Sequence, residues 1–353
     1  MNAGSLDIED FVNLLAYLRE SGRISEGESP RLTNLAGGVS NRTVLIERPS
    51  GESWVLKQAL EKLRVRVDWR SDPRRIEREA AGMQALSEIA PAGSITPLVF
   101  LDREQNLLAM QAVPQPHENW KSMLMAGRLE LDPIRQFAKL LAAIHRTGAE
   151  RHKRFAGDFD DRSAFESLRL EPYYLYSAQR MPAVASFIQN LVDETRASRY
   201  TLVHGDYSPK NVLVHKGQLV LLDHEVIHFG DGTFDIGFAL THLLSKANAL
   251  PAIRERLLAA AEVFWKTYRD QLAREVPESR ACRHTLGCLL ARCVGRSPLE
   301  YLSPERAARQ ANVAAFLMDN PPAQIPVLIR EFAERIDQPR RHEGHEEMEK
   351  ERR

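Results

Sequence analysis

The stretch that most constrains this chain runs from Thr201 to Asp223. A short apolar lead-in, Thr201-Leu202-Val203, meets His204-Gly205-Asp206-Tyr207-Ser208-Pro209-Lys210-Asn211, whose Gly, Ser, Pro and Asn are loop-forming residues. Val212-Leu213-Val214, a polar His215-Lys216-Gly217 and Gln218-Leu219-Val220-Leu221-Leu222 follow, which predicts a β-hairpin with a three-residue connection. A hairpin returns the chain on itself, so Asp223 at its exit is expected beside Asn211 at its start. Two oxygen donors brought together in this way suit one hard cation such as Mg²⁺.

Asp206, five positions before Asn211, adds a second carboxylate. Phosphoryl transfer asks little covalent chemistry of a protein. It needs a nucleotide's phosphates and metal held in line with an acceptor hydroxyl, and the spreading charge neutralised. The expectation is that Asp206 is the catalytic group facing the hydroxyl, while Asn211 and Asp223 hold the metal. Asp235, in Phe234-Asp235-Ile236-Gly237, is expected to cap the helix that follows and to tether the loop.

The texture of the chain changes along its length. Asp7 to Glu20 reads as a capped amphipathic helix ending before Gly22. From Leu32 to about Val113 come short β-like runs, Leu32–Ala36, Thr43–Glu47, Ser53–Lys57 and Leu107–Ala112, with one helix from about Asp72 to Ser87. After Pro114 the patterns are helical, near 132–147, 182–196, 253–274, 280–294, 304–317 and 322–336. The expected architecture is α+β and two-lobed: a small antiparallel-sheet lobe over 1–113, a larger mainly helical lobe over 114–338, and a charged, disordered tail over 339–353. In that tail His342, Glu343 and His345 do not match the HExxH zinc spacing.

The first lobe carries a second constellation. Gly37-Gly38-Val39-Ser40-Asn41 lies between two strand candidates, where adjacent glycines let backbone amides approach phosphate oxygens. Lys57 ends the next strand, placed to reach the α- and β-phosphates, and such a lysine pairs with a helix glutamate. Glu79 is the expected partner and Glu77 the alternative. The basic run of Lys62, Arg64, Arg66, Arg70, Arg74, Arg75 and Arg78 is interleaved with Asp68, Asp72 and Glu77, so it reads as a solvated helix and loop or an anion-facing edge of the cleft.

Together these residues resemble the aminoglycoside phosphotransferase and choline kinase superfamily, which has a protein-kinase-like fold. The matching pieces are Gly37 to Asn41, Lys57, Arg78-Glu79, His204-Gly205-Asp206 with Asn211, Asp223-His224-Glu225, Gly230-Asp231 and Phe234-Asp235. Within it the chain is most similar to methylthioribose kinases and their relatives, through Val55 to Leu60 with Trp69, Glu171-Pro172-Tyr173 and Asp223-x-Glu225. The loop Tyr207 to Asn211 instead follows the general superfamily pattern. The resemblance implies ATP and Mg²⁺ as cofactors. Gly37, Gly38, Ser40, Asn41, Lys57, Glu79, Gln111 and Val113 would then be nucleotide contacts, and Glu225 a direct or supporting metal group.

The acceptor is expected to be a small molecule bearing a hydroxyl. Asp235 follows Asp223 by only 12 positions and no Ala-Pro-Glu follows, so the platform that supports a polypeptide substrate is missing. Trp69 and Tyr173 could stack on a sugar. Arg292 and Arg296, one turn apart if helical, could share a face toward an anionic or hydroxylated ligand. Acidic walls would instead suit an aminoglycoside, with Glu171, Glu300 and Glu305 available. A catalytically silent nucleotide-binding or regulatory protein is the alternative, disfavoured by Asp206, since a mere binder needs no hydroxyl-facing carboxylate.

Composition closes off other classes. Formal net charge is zero, so no global field favours nucleic acid or an anionic membrane. Three cysteines in 353 residues suit buried thiols in a reducing compartment. No apolar run approaches the roughly 20 residues that span a bilayer, and the N-terminus is unlike a signal peptide. A cytoplasmic protein is expected. Nothing in the sequence signals an oligomeric state.

Overall fold

The structure is a computed structural model that describes residues 6–336, apart from 36–37, 66–67 and 273. The expected nucleotide contact Gly37 and the 339–353 tail therefore lie outside the described residues.

The first helix, α1, spans Phe11–Glu20, shorter than expected because Asp10, not Asp7, accepts the amides of Val12 and Asn13. Five strands then form one antiparallel sheet: β1 (Arg31–Asn34), β2 (Asn41–Glu47), β3 (Ser53–Ala59), β4 (Leu98–Asp102) and β5 (Leu107–Gln111), in the order β1-β2-β3-β5-β4. The alternation of strand side chains decides its two faces. Val44, Ile46, Trp54, Leu56, Leu107 and Ala109 bury one face against Leu14 and Leu18 of α1. Lys57, one residue out of phase with Leu56, therefore points to the other face. There α2 (Arg75–Ser87) packs, and its Ile76, Ala80 and Met83 join an apolar cluster that continues into the helical part. The strand Leu98–Asp102 was not expected from the sequence.

The helical part is built around the Thr233–Ala249 helix, buried along nearly its whole length. Its polar residues, Asp235, His242, Lys246 and Asn248 among them, are buried with the apolar ones, so no polar face marks its period, and only the cap reading at Asp235 pointed to a helix here. Its closest neighbour is the Glu278–Val294 helix. They meet at Gly237, where a Cβ would lie 2.6 Å from His284 Cβ. From Glu166 to Leu175 the chain winds as a wide π-helix containing Pro172, which supplies no backbone donor. The expected hairpin is present, as Val212–His215 paired with Gln218–Leu221. Its connection is two residues rather than three: Lys216 and Gly217 both have positive φ, as a type I′ turn requires. Among the described residues no helix is long and apolar enough to cross a membrane.

Candidate active site

The loop after the Thr201–Val203 strand turns at Gly205, whose φ is +78°. A Cβ there would meet Val226 Cγ2 at 2.9 Å, so both conformation and space call for glycine. Asp235 anchors the turn by accepting the amides of His204 at 2.7 Å and Gly205 at 2.8 Å. Burial opposes its charge, but the hydrogen bond from His145 and the loop amides hold its carboxyl below the usual range. Its expected role as a helix cap is not what the structure shows. Asp235 lies inside the first turn, and Asp231 takes the Thr233 amide instead. His204 braces the loop, its Nδ1 accepting the Asp206 amide at 3.2 Å and its Nε2 facing His224.

Asp206 is thereby pinned at both oxygens. Arg169 Nη2 lies 2.9 Å from Oδ1, and Asn211 Nδ2 donates to Oδ2 at 2.6 Å. Asp223, with φ +67°, leaves the hairpin towards Lys57, whose Nζ donates to Asp223 Oδ1 at 2.7 Å and to Glu79 Oε1 at 2.6 Å. Burial acts against the Lys57 charge, but Asp223 and Glu79 outweigh it and hold the amine protonated. Asp223 in turn is pulled well below the ordinary carboxylate range, mainly by Lys57 against its burial. Glu79, fully buried, is pushed up to about 7 by burial, an effect Lys57 only partly offsets. Glu77 instead pairs with Arg103 at 2.8 Å, so the sequence ambiguity resolves to Glu79.

Glu225 is a strut. Its Oε1 accepts from Ser40 Oγ at 2.8 Å, and its Oε2 from Asn41 at 3.1 Å and Arg75 Nε at 3.0 Å. Arg75 also donates to the carbonyls of Ser40 and Leu60, tying the segment after the glycine pair to the Asp223–Glu225 side of the site. Ser40 and Asn41 thus spend their side chains on Glu225.

Two hollows meet here. The larger, about 1090 Å³, runs between the sheet and the helical part and is lined by Val55, Met110, Gln111, Val113, Asn211 and Leu222. The smaller, about 110 Å³, is lined by Trp69, Arg169, Tyr173, Asp206, Phe238 and Arg292. Gly38, Thr43, Lys57, Lys210 and Asp223 line both. Asp206, Ser40, Asn41 and Glu225 face only the smaller one, and Gln111 and Val113 only the larger. Arg296 joins neither. The helix ends at Val294, so the one-turn spacing from Arg292 is lost, and Arg296 bonds the Asp68 carbonyl over the Tyr176 ring.

A family model described as the phosphotransferase enzyme family matches residues 31–274, a span that contains the sheet, the loop and the whole lining of the larger hollow, while Arg292 and Ser297 of the smaller one lie beyond it. The chain belongs to that family. Among curated relatives, this phosphotransferase-family chain is 24% identical over 288 residues to a methylthioribose kinase of Pectobacterium atrosepticum, covering 71% of this chain and 72% of the relative. A methylthioribose kinase of Pectobacterium carotovorum is 24% identical over 301 residues, 75% of each. Among solved structures, a choline kinase from Cryptosporidium parvum superposes with TM-score 0.55 at 12% identity, over 92% of this chain and 100% of that one. An amicoumacin kinase in complex with AMP-PNP and Ca²⁺ gives 0.54 at 16% identity, over 89% and 97%. These two share the fold with the present phosphotransferase-family chain.

Two of its arginines escaped the sequence reading. Arg75 sits in the basic run that reads as a solvated helix and loop or an anion-facing edge of the cleft, yet it lies one helical turn before Glu79, so the phase that turns Glu79 inward turns Arg75 inward as well. Arg169 lies just before Glu171-Pro172-Tyr173, and no spacing sets it apart from other arginines. The remaining described arginines and Lys62 of the basic run are paired at the surface, Arg64 with Glu9, Arg70 with Glu61, Arg74 with Asp72, Arg78 with Asp161 and Lys62 with Asp68.

Proposed function

We propose that the protein transfers the γ-phosphoryl group of ATP to a hydroxyl of a small molecule, with the nucleotide in the larger hollow and the acceptor in the smaller. The observation that carries this reading is the shared rim. Lys57, Lys210 and Asp223 border both spaces, while Asp206 faces only the inner one. A phosphoryl group passing from one hollow to the other would cross between two cations and meet the acceptor beside a fixed carboxylate.

In this reading Gln111 and Val113 contact the base end of the nucleotide, and Gly38 and Lys57 its phosphates. Lys57, oriented by Glu79, neutralises phosphate charge. Asp206 accepts a hydrogen bond from the acceptor hydroxyl and aligns its oxygen for in-line attack. Arg169 and Asn211 fix both carboxylate oxygens of Asp206, so its direction is set before substrate arrives.

The donor set fits a hard divalent cation. Oxygens of Glu79, Asp223 and Glu225 lie within 4.8 Å of one another, and the buried Glu79 Oε2 has no partner. Asp223 and the Asn211 amide oxygen would hold Mg²⁺ at the cleft. Glu225, occupied by Ser40, Asn41 and Arg75, acts from behind as a support. When bound, Mg²⁺ would neutralise charge on the β- and γ-phosphates.

The curated relatives' name makes methylthioribose the first acceptor to try. The test is acceptor-dependent ADP release with Mg·ATP over methylthioribose, other pentoses, amino alcohols, aminoglycosides and hydroxy acids, with the phosphorylated product identified by mass spectrometry. Tight nucleotide binding with no acceptor-dependent ADP release would favour a silent nucleotide-binding protein instead.

A further inference from the structure

The inner hollow carries positive charge that no residue answers. Lys210 stands on the rim shared with the larger hollow, and the other ionic groups are paired: Lys57 with Glu79 and Asp223, Arg169 with Asp206, and Glu225 with Arg75. Arg292 is not. It lines the hollow at 8% exposure, and its Nη1 alone makes its hydrogen bonds, to Tyr173 Oη at 3.0 Å and to the hydroxyl and carbonyl oxygens of Ser297, all uncharged. Its Nε is buried without a partner. Among the described residues no carboxylate lies within ion-pair distance of it.

His242 lines the same hollow, 5% exposed, with Nε2 also partnerless. Behind it Lys246 is fully buried, its Nζ donating only to the His242 carbonyl at 3.3 Å and lying 5.1 Å from the centre of the Tyr301 ring. Burial, Lys121 and Arg292 together depress that amine to about 7, with Glu300 the one opposing charge. Glu300 is turned to Lys121, and neither it nor Glu171 or Glu305 lines the hollow. A buried cation without a counter-charge is strongly unfavourable unless a ligand supplies one. Nor do the nucleotide's phosphates fill that role in the arrangement above, because Arg292, His242 and Ser297 border the inner hollow and not the larger cleft.

We propose that the acceptor is a hydroxy acid: a small carboxylate-bearing alcohol whose anionic end lies against Arg292 and His242 while its hydroxyl faces Asp206. The proposal rests on the phosphotransfer reading and narrows it. It sets the chain apart from the uncharged sugar in its relatives' name and disfavours cationic amino alcohols and aminoglycosides. The guanidinium Nε and Nη2 offer the forked pair of donors that a carboxylate takes.

The test compares acids with neutral twins of the same carbon skeleton, D-glycerate with glycerol and D-gluconate with sorbitol, by calorimetric binding and by ADP release with Mg·ATP. At least one acid is expected to bind about ten-fold or more tightly than its twin, the scale of a charge-assisted hydrogen bond. Arg292→Gln should shrink that gap to about two-fold or less, and Arg292→Lys should keep part of it. Nucleotide binding by each variant reports its folding. Equal or weaker binding of both acids, no acid binding at tens of millimolar, or a gap that survives Arg292→Gln overturns the proposal. An acid that binds through Arg292 while no compound of the wider panel drives ADP release leaves the anion site standing but overturns its role as an acceptor site, and removes the kinase reading. ADP release on neutral alcohols alone does the reverse.

Discussion

Arg169 Nη2 stands 2.9 Å from Asp206 Oδ1, a buried ion pair between the π-helix and the loop expected to face the acceptor. The same guanidinium donates to the Gly205 carbonyl at 2.8 Å and to the Leu168 carbonyl at 2.7 Å. Burial works against its charge, but Asp206 outweighs that and holds it firmly protonated. The fork therefore fixes the loop backbone and the carboxylate at once, which a lysine could not do.

Arg169→Gln removes the cation from Asp206 and leaves Asn211 as the donor to its carboxylate. Removing one partner of a buried pair costs about 3–5 kcal/mol, and side-chain exposures of 8% and 13% put this pair in that class. Urea unfolding should show a loss of that order. A loss below about 1 kcal/mol would mean that solvent, not Arg169, supports Asp206.

Asp206→Asn keeps the shape and removes the charge proposed to face the acceptor hydroxyl. Turnover should fall by about 10² or more, the scale of lost general-base alignment, while Mg·ATP affinity stays near that of the parent. Steady-state kinetics and nucleotide titration separate the two quantities. Turnover near the parent value would take Asp206 out of the mechanism.

Asp223→Ala should give the opposite pattern. It removes the proposed metal donor and leaves Lys57 paired with Glu79 alone, so Mg·ATP binding itself should weaken. Chelating divalent ions from the parent protein should reproduce that loss. Unchanged nucleotide affinity in Asp223→Ala would exclude the proposed metal position.

What was legible in the sequence was what local pattern governs. Asp206, Asn211 and Asp223 converge because a loop and a hairpin are short-range devices, and β2, β3 and β5 are short apolar runs that read as strands. The extent of the Thr233–Ala249 helix, expected only as the helix following Asp235, was hidden because burial on all sides erases the polar face that periodicity needs. Arg169 and Arg75 were hidden for another reason. Their role depends on partners 37 and 150 residues away, Asp206 and Glu225, and nothing local marks a buried arginine. Arg296 failed because the helix stops two residues earlier, at Val294.

Arg75 and Glu225 tie the two halves of the site together, with side-chain exposures of 1% and 6%. Arg75→Gln should lower unfolding stability by about 3–5 kcal/mol, as for other broken buried pairs. It should also raise the KM for ATP, because Ser40 and Leu60 lose the donor that holds their carbonyls. Stability loss without any change in KM would show that the strut serves folding alone.

Lys246 makes a pH-dependent prediction. It is buried, its amine bonds only the His242 carbonyl, and it faces Lys121 and Arg292 with Glu300 as the sole opposing charge. His242, in the helical turn before it, is itself held well below its ordinary range by burial, so that imidazole is neutral. The Lys246 amine is thereby depressed from 10.5 to about 7. Between those values the unfolded chain holds a proton that the folded chain releases, so folding stability from this group rises with pH across that window. Below about 7 both states are protonated and the penalty is fully present. Lys246→Met replaces the ammonium with an apolar chain of similar length, and such replacements are neutral or stabilising by about 1–4 kcal/mol. The gain should be largest at pH 6, smaller at pH 9 and absent above pH 10.5, read as the difference between variant and parent in denaturant unfolding. A gain equal at pH 6 and pH 9, or larger at pH 9, would mean that Lys246 reaches solvent and is not the buried, unanswered charge described here.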